Sequence, residues 1–235
     1  VPTSLPPDAP VLVLAAPGDA SGVASEIAAV VRVDNPQIEV RLATVADLAD
    51  SLPSGRDAVV VPLLTWDDPA VLAEIGKAVA AGGTGAVVTE ALGPHPLLAE
   101  ALHIRLAEKG LARADRVRLL NVSSPVDAVI LGTAGGARAV QAVQATAVLL
   151  ASRLTLPVVA ASLDSEPGVS VAAQRLRAAG AERLAIAPCV IGHELAAGAL
   201  EQAAAGIEAG YAEPLGAHSA IAELVARAYG SQLAT

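Results

Sequence analysis

The sequence is poor in aromatic residues, almost free of cysteine and short of positive charge. Only 1% of its 235 residues are aromatic, namely Trp66, Tyr211 and Tyr229. Cys189 stands alone, and 15 Lys and Arg face 24 Asp and Glu, for a formal net charge of −9. A lone cysteine excludes a disulfide-stapled fold. An acidic chain with three aromatics lacks the basic surface and the stacking platforms on which non-specific nucleic-acid binding rests. Long hydrophobic runs are missing too. The longest apolar stretch, residues 139–161, is interrupted by Gln141, Gln144, Ser152, Arg153 and Pro157, so no membrane-spanning helix is expected. The opening Val1-Pro2-Thr3-Ser4-Leu5-Pro6-Pro7-Asp8 has neither a basic region nor an apolar one, and the expectation is a cytoplasmic protein without an export signal. What the chain does have is 54% hydrophobic residues, too many for a disordered regulator. Its core has to be assembled from Ala, Val, Leu and Ile, with many interlocking aliphatics in place of a few large rings.

Short apolar runs alternate with stretches of helical period. Strands are predicted over 11–16, 38–43, 58–64 and 85–89, with helices over 21–31, 70–81 and 96–108 between and after them. Strands that are apolar at every position and separated by helices imply an α/β fold with a parallel sheet covered on both faces. The second half repeats the first: strands over 128–132, 157–161 and 184–190, and helices over 140–154 and 169–178. The plainest correspondence is Leu92-Gly93-Pro94-His95 with Leu215-Gly216-Ala217-His218, the two glycines lying 123 residues apart. An internal repeat of that period indicates duplicated α/β domains, divided here as 1–115 and 116–235 with the polar segment 112–125 as linker. Open α/β sheets bind ligands beyond their strand C-termini. The functional loops are therefore expected at 17–22, 64–69, 132–138, 165–168 and 191–194.

Several common chemistries are absent. There is no G-x-G-x-x-G fingerprint and no P-loop lysine motif, which argues against dinucleotide and ATP sites. No Gly-x-Ser-x-Gly elbow is present, and Cys189, next to Pro188 in an apolar run, reads as a buried inert thiol. His193-Glu194 is a possible metal-ligand pair, but Ala197 stands where a zincin helix would need its second histidine. A loop histidine bonded to nearby backbone is the alternative. Asp19, Asp67 and Asp68 offer carboxylates at strand-end loops, where Asp19 and Asp68 can equally cap helices. Gly132, Gly135 and Gly136 can bring backbone N–H groups against an acetate or propionate substituent, or simply make a tight turn. Arg138 can pair with such a carboxylate or sit as a surface charge. His95 and His218 precede helices at equivalent places, which suggests a shared structural task, helix capping or ring packing, and His103 reads as a solvated mid-helix residue.

Taken in order, Gly132-Thr133-Ala134-Gly135-Gly136 after a strand, Glu166-Pro167-Gly168-Val169 leading into Leu176-Arg177-Ala178-Ala179-Gly180-Ala181-Glu182-Arg183-Leu184-Ala185-Ile186-Ala187-Pro188, and Leu215-Gly216-Ala217-His218 before the last helix resemble the sirohydrochlorin/cobalt chelatase family in its long, CbiX-type form. The resemblance spans nearly the whole chain. It implies two tandem flavodoxin-like (Rossmann-like) parallel-sheet domains related by duplication. It also implies insertion of Fe²⁺ or Co²⁺ into a tetrapyrrole without ATP, in siroheme or cobalamin synthesis. No permanently bound cofactor is implied, and the partners are the tetrapyrrole and the divalent metal, with neither nucleic acid nor membrane. Such chelatases use two histidines. The first follows the opening strand in a His-Gly-Ser or His-Gly-Thr loop, where this chain has Pro17-Gly18-Asp19, and the other follows the third strand, where this chain has Leu63-Leu64-Thr65-Trp66-Asp67-Asp68. The expected site is accordingly remodelled. Asp19 and His193 are the catalytic candidates, and His193, Glu194 and Asp67 are the metal-ligand candidates. Gly132, Gly135, Gly136, Arg138 and Glu166 are the substrate-binding candidates. The alternative is a catalytically degenerate relative that binds a tetrapyrrole or a metal.

Overall fold

A computed structural model of the chain describes residues 8–20, 22–83, 85–113, 124–192 and 194–233. Its strands and helices follow the alternation of apolar runs and helical periods. The first half contains β1 (Val11–Ala16), α1 (Val23–Asp34), β2 (Val40–Thr44), α2 (Leu48–Ser51), β3 (Ala58–Pro62), α3 (Pro69–Gly82), β4 (Ala86–Val88) and α4 (Pro96–Glu108). The second contains β5 (Ala128–Thr133), α5 (Ala137–Ala142), α6 (Gln144–Leu154), β6 (Val158–Ser162), α7 (Val169–Ala178), β7 (Leu184–Pro188), α8 (Ala199–Gly206), β8 (Gly210–Tyr211) and α9 (Ser219–Gln232). Among the described residues no helix is long and apolar enough to cross a membrane.

Each half folds as a four-stranded, all-parallel sheet. The strand orders are β2-β1-β3-β4 and β6-β5-β7-β8, the same permutation twice. Registers match as well: Ala15 lies opposite Pro62 in the first sheet, and Gly132 opposite Pro188 in the second. The central strands β1, β3, β5 and β7 are buried at every position. That burial is why they read as unbroken apolar runs rather than alternating ones. Val11, Val13, Val60, Leu48 and Ile75 pack together on one side of the first sheet. Ile130, Ile186, Leu163, Leu176 and Leu200 form the corresponding cluster in the second. Gly132 belongs to this packing. A Cβ on it would collide with the Leu163 side chain at 2.7 Å, so the bare backbone makes room for a core leucine.

The compact packing units do not follow the sequence halves. One unit is Val1–Gly93 together with Gly216–Thr235, and the other is Pro94–Leu215. In the first, α9 packs on α1 and β3, and the fully buried Tyr229 donates from its hydroxyl to the Pro10 carbonyl at 2.8 Å. In the second, α4 packs on α6 and β7. Each half of the repeat thus surrenders its last helix and receives the other's. The proposed linker, 112–125, falls largely on residues 114–123, outside the described residues.

Four local expectations change. His103 is buried rather than solvated, at 3% exposure, because α4 is seated between α6 and β7 and buries residues around most of its circumference. The helix expected over 140–154 begins at Ala137 and is interrupted at Val143. Asp19 is not the cap of α1, whose N-cap is Gly22 with φ 56°. Asp68, by contrast, caps α3, its Oδ1 accepting from the N–H groups of Ala70 at 2.9 Å and Val71 at 3.4 Å. Finally, α2, α8 and β8 are short elements that periodicity does not reveal.

Candidate functional site

In a sheet ordered 2-1-3-4 the chain runs outward in opposite directions from the first and third strands. The crevice between their C-terminal ends is where open α/β folds take ligands. The first unit presents there the loop after β1, with Pro17, Gly18 and Asp19, and the loop after β3, from Leu63 to Asp68. The second unit presents the loop after β5, with Ala134, Gly135 and Gly136, and the loop after β7, from Cys189 to Glu194. The loop after β6 lies alongside.

In the second unit the β5 and β6 loops are tied together by one carboxylate. Ser162, at 1% exposure, donates its hydroxyl to Asp164 Oδ1 at 2.9 Å and accepts the N–H groups of Asp164 and Ser165 at 3.3 and 2.9 Å. The same Asp164 Oδ1 accepts the Gly135 N–H at 2.9 Å. Gly135 has φ 96°, a conformation open to glycine and costly for other residues. Its amide, a candidate to meet an anionic ligand group, is therefore satisfied by the chain's own Asp164. Gly136 begins α5, and a Cβ there would rest 3.5 Å from the Glu166 carbonyl. Glu166 Oε2 accepts the Gly168 N–H at 2.9 Å, closing the β6 loop. The Glu166–Pro167 peptide is cis, and the Pro167 carbonyl accepts the Ser162 N–H at 2.9 Å. Arg138, in the first turn of α5, is exposed and makes no hydrogen bond or ion pair among the described residues. It is a cation available to an outside carboxylate.

The β7 loop is held by Glu194. Its Oε1 accepts the Ile191 N–H at 2.8 Å and its Oε2 the Gly192 N–H at 2.7 Å. Both oxygens are engaged, each with lone-pair capacity remaining. His193, the catalytic and metal-ligand candidate, lies outside the described residues. In the first unit Asp67 Oδ1 accepts the Ala91 N–H at 2.9 Å, tying the β3 loop to the segment after β4. Asp19 is exposed in the β1 loop. Gly132, unlike Gly135 and Gly136, is a buried strand residue. Among the described residues no three His, Cys, Asp or Glu side chains group so that they could hold a metal ion. Cys189 is a buried thiol.

His95 and His218 perform the same task at equivalent helix starts. His95 Nδ1 accepts the Leu97 N–H at 3.1 Å, and His218 Nδ1 accepts the Ala220 N–H at 3.1 Å. They cap α4 and α9, one satisfied donor each at helix ends that would otherwise leave it open. Ser162 and Asp164 escaped the sequence reading, although Ser-x-Asp directly after an apolar strand is the composition of a side-chain-to-backbone turn.

No family model matches the chain, and no curated protein does. Solved structures do. The sirohydrochlorin chelatase SirB from Bacillus subtilis subspecies spizizenii, in complex with cobalt, superposes with a TM-score of 0.68 at 12% identity, over 95% of this chain and 94% of that one. CbiX, described as the terminal enzyme for biosynthesis of siroheme in denitrifying bacteria, superposes with a TM-score of 0.63 at 21% identity, over 94% of this chain and 98% of that one. The chain has the doubled α/β fold of these chelatases along almost its entire length.

Proposed function

We propose that the protein is a tetrapyrrole metallochelatase that places Fe²⁺ or Co²⁺ in a sirohydrochlorin-type macrocycle without ATP, in siroheme or cobalamin synthesis. The observation that carries this reading is the end-to-end likeness to two chelatases of that substrate, one of them solved with cobalt. Insertion replaces two pyrrole N–H protons by one divalent cation, so the chain has to accept two protons and present the metal to one face of the ring. His193 suits both tasks, because neutral imidazole is a ligand and a base near neutral pH. Glu194 holds the backbone ahead of it in the β7 loop through the Ile191 and Gly192 amides and retains lone pairs for the metal. In the first unit, Asp19 and Asp67 are carboxylates of the kind that Fe²⁺ and Co²⁺ accept as hard oxygen ligands. Arg138 pairs with a carboxylate substituent of the ring, beside Gly135, Gly136 and Glu166.

A second reading is a degenerate relative that binds the macrocycle or the metal without catalysis. It is favoured by the loops after β1 and β3, which have carboxylates in place of the histidines found in such chelatases, and by the backbone hydrogen bonds that engage Asp67 and Glu194. Purified protein mixed anaerobically with sirohydrochlorin and Co²⁺ separates the two by absorbance. Insertion faster than the protein-free control supports the enzyme. Spectral binding without faster insertion supports the module, and no spectral change at all removes both. His193→Ala is expected to weaken Co²⁺ binding and slow insertion, and an unchanged metal affinity discards His193 as a ligand.

A further inference from the structure

The chain's three aromatic residues are not used alike. Tyr229 is fully buried in the first unit, and Tyr211 packs against the core cluster of the second. Trp66 stands instead in the loop after β3, half-buried, at the crevice between β1 and β3. Its indole N–H has no hydrogen-bond partner among the described residues. A core assembled without large rings would gain most from burying an indole, and this protein leaves its only one beside that crevice.

The loop that carries it is fixed on both sides. Leu64 N–H donates to the Pro62 carbonyl at 2.9 Å, Leu92 N–H to the Leu64 carbonyl at 2.8 Å, and Asp68 N–H to the Trp66 carbonyl at 2.9 Å. Asp67 accepts the Ala91 amide, and Asp68 caps α3. An aromatic surface on a backbone held this way loses little conformational freedom when something stacks on it.

The internal duplication supplies a control. Leu63 N–H donates to the Ala15 carbonyl and Cys189 N–H to the Gly132 carbonyl, while Leu64 and Val190 accept the amides of Leu92 and Leu215. Those equivalent bonds align Trp66 with Gly192, which has no side chain and φ 138°. The same backbone position thus offers an indole face in one unit and bare backbone in the other. The loop geometry itself does not require the ring.

We propose that Trp66 is the stacking platform for the flat conjugated face of the ligand at the β1/β3 crevice. Resting on the tetrapyrrole reading above, it assigns the binding of the ring face to this residue. Aromatic stacking of this kind is worth about 0.5–1.5 kcal/mol, roughly a three- to tenfold change in affinity. The test uses metal-free sirohydrochlorin under anaerobic conditions, with binding read from the ligand's own absorption. Trp66→Leu is expected to raise Kd roughly three- to tenfold, and Trp66→Phe to stay within about twofold. A second readout needs no variant. One tryptophan gives one indole N–H resonance, and the ring current of a stacked macrocycle, falling with the cube of distance, shifts it strongly upfield at saturation. An unshifted resonance in fully bound protein, or an unchanged Kd in a folded Trp66→Leu, overturns the platform and leaves the tetrapyrrole reading intact. A wild-type protein that shows no absorbance change with sirohydrochlorin overturns both.

Discussion

His103 shows how a single residue's surroundings set its chemistry. Arg153 Nε–H donates to its Nδ1 at 3.1 Å, which leaves the ring proton on Nε2, and Nε2 lies 2.6 Å from the Arg113 carbonyl. The ring accepts on one side and donates on the other. Replacing it with leucine of similar bulk would remove both of these hydrogen bonds. His103→Leu is expected to cost about 2–3 kcal/mol, seen as a lower urea midpoint, and an unchanged midpoint would show that water takes over both bonds. Spacing alone places His103 on a wet face because Arg105 is beside it. The helix packing that buries it comes from the far half of the chain. Asp68 was legible for the opposite reason, since a cap needs only its own next three residues.

At the scale of elements, local signals were sufficient where the element has several turns of clear apolar spacing. The helices Pro96–Glu108 and Val169–Ala178 have the limits that apolar spacing and flanking residues indicate. The two-residue β8, the one-turn α2 and the alanine-rich α8 have too little periodicity to register. The Leu-Gly-x-His repeat was readable as a helix start, and its histidines prove to be paired caps. His95→Ala and His218→Ala are each expected to lower stability by about 1 kcal/mol, while asparagine, a good cap in its own right, should recover most of it. The caps share no partner, so the double variant should lose close to the sum. Thermal melts of the two single variants, the double variant and the asparagine versions check this. A loss that alanine and asparagine share equally would count against capping.

For the molecule as a whole, acid is the informative stress. Asp127, just ahead of β5, receives the Arg183 guanidinium at 2.7 Å and the amides of Glu182 and Arg183 at 3.1 and 2.8 Å. The guanidinium and these amides hold its carboxyl down at about 2. With the folded value below the ordinary 3.8, the group contributes stability above the ordinary value and loses it as pH falls from about 4 towards 2. Urea midpoints measured across that range should fall less steeply for Asp127→Asn than for the wild type, and parallel curves would sink the assignment. The pair of parallel sheets was visible in the sequence because parallel strands buried on both faces are written as apolar runs. The ties between the strand-end loops were not, since hydrogen bonds such as that from the Gly135 N–H to Asp164 join segments 29 residues apart. The exchange of α4 and α9 has a further consequence for how the protein is made. The sheet translated first lacks its closing helix until Gly216–Thr235 has left the ribosome, so for most of synthesis the hydrophobic seat on α1 and β3 stands open. A nascent chain of this design exposes apolar surface at the very stage when a simple pair of beads on a string would already have one finished domain.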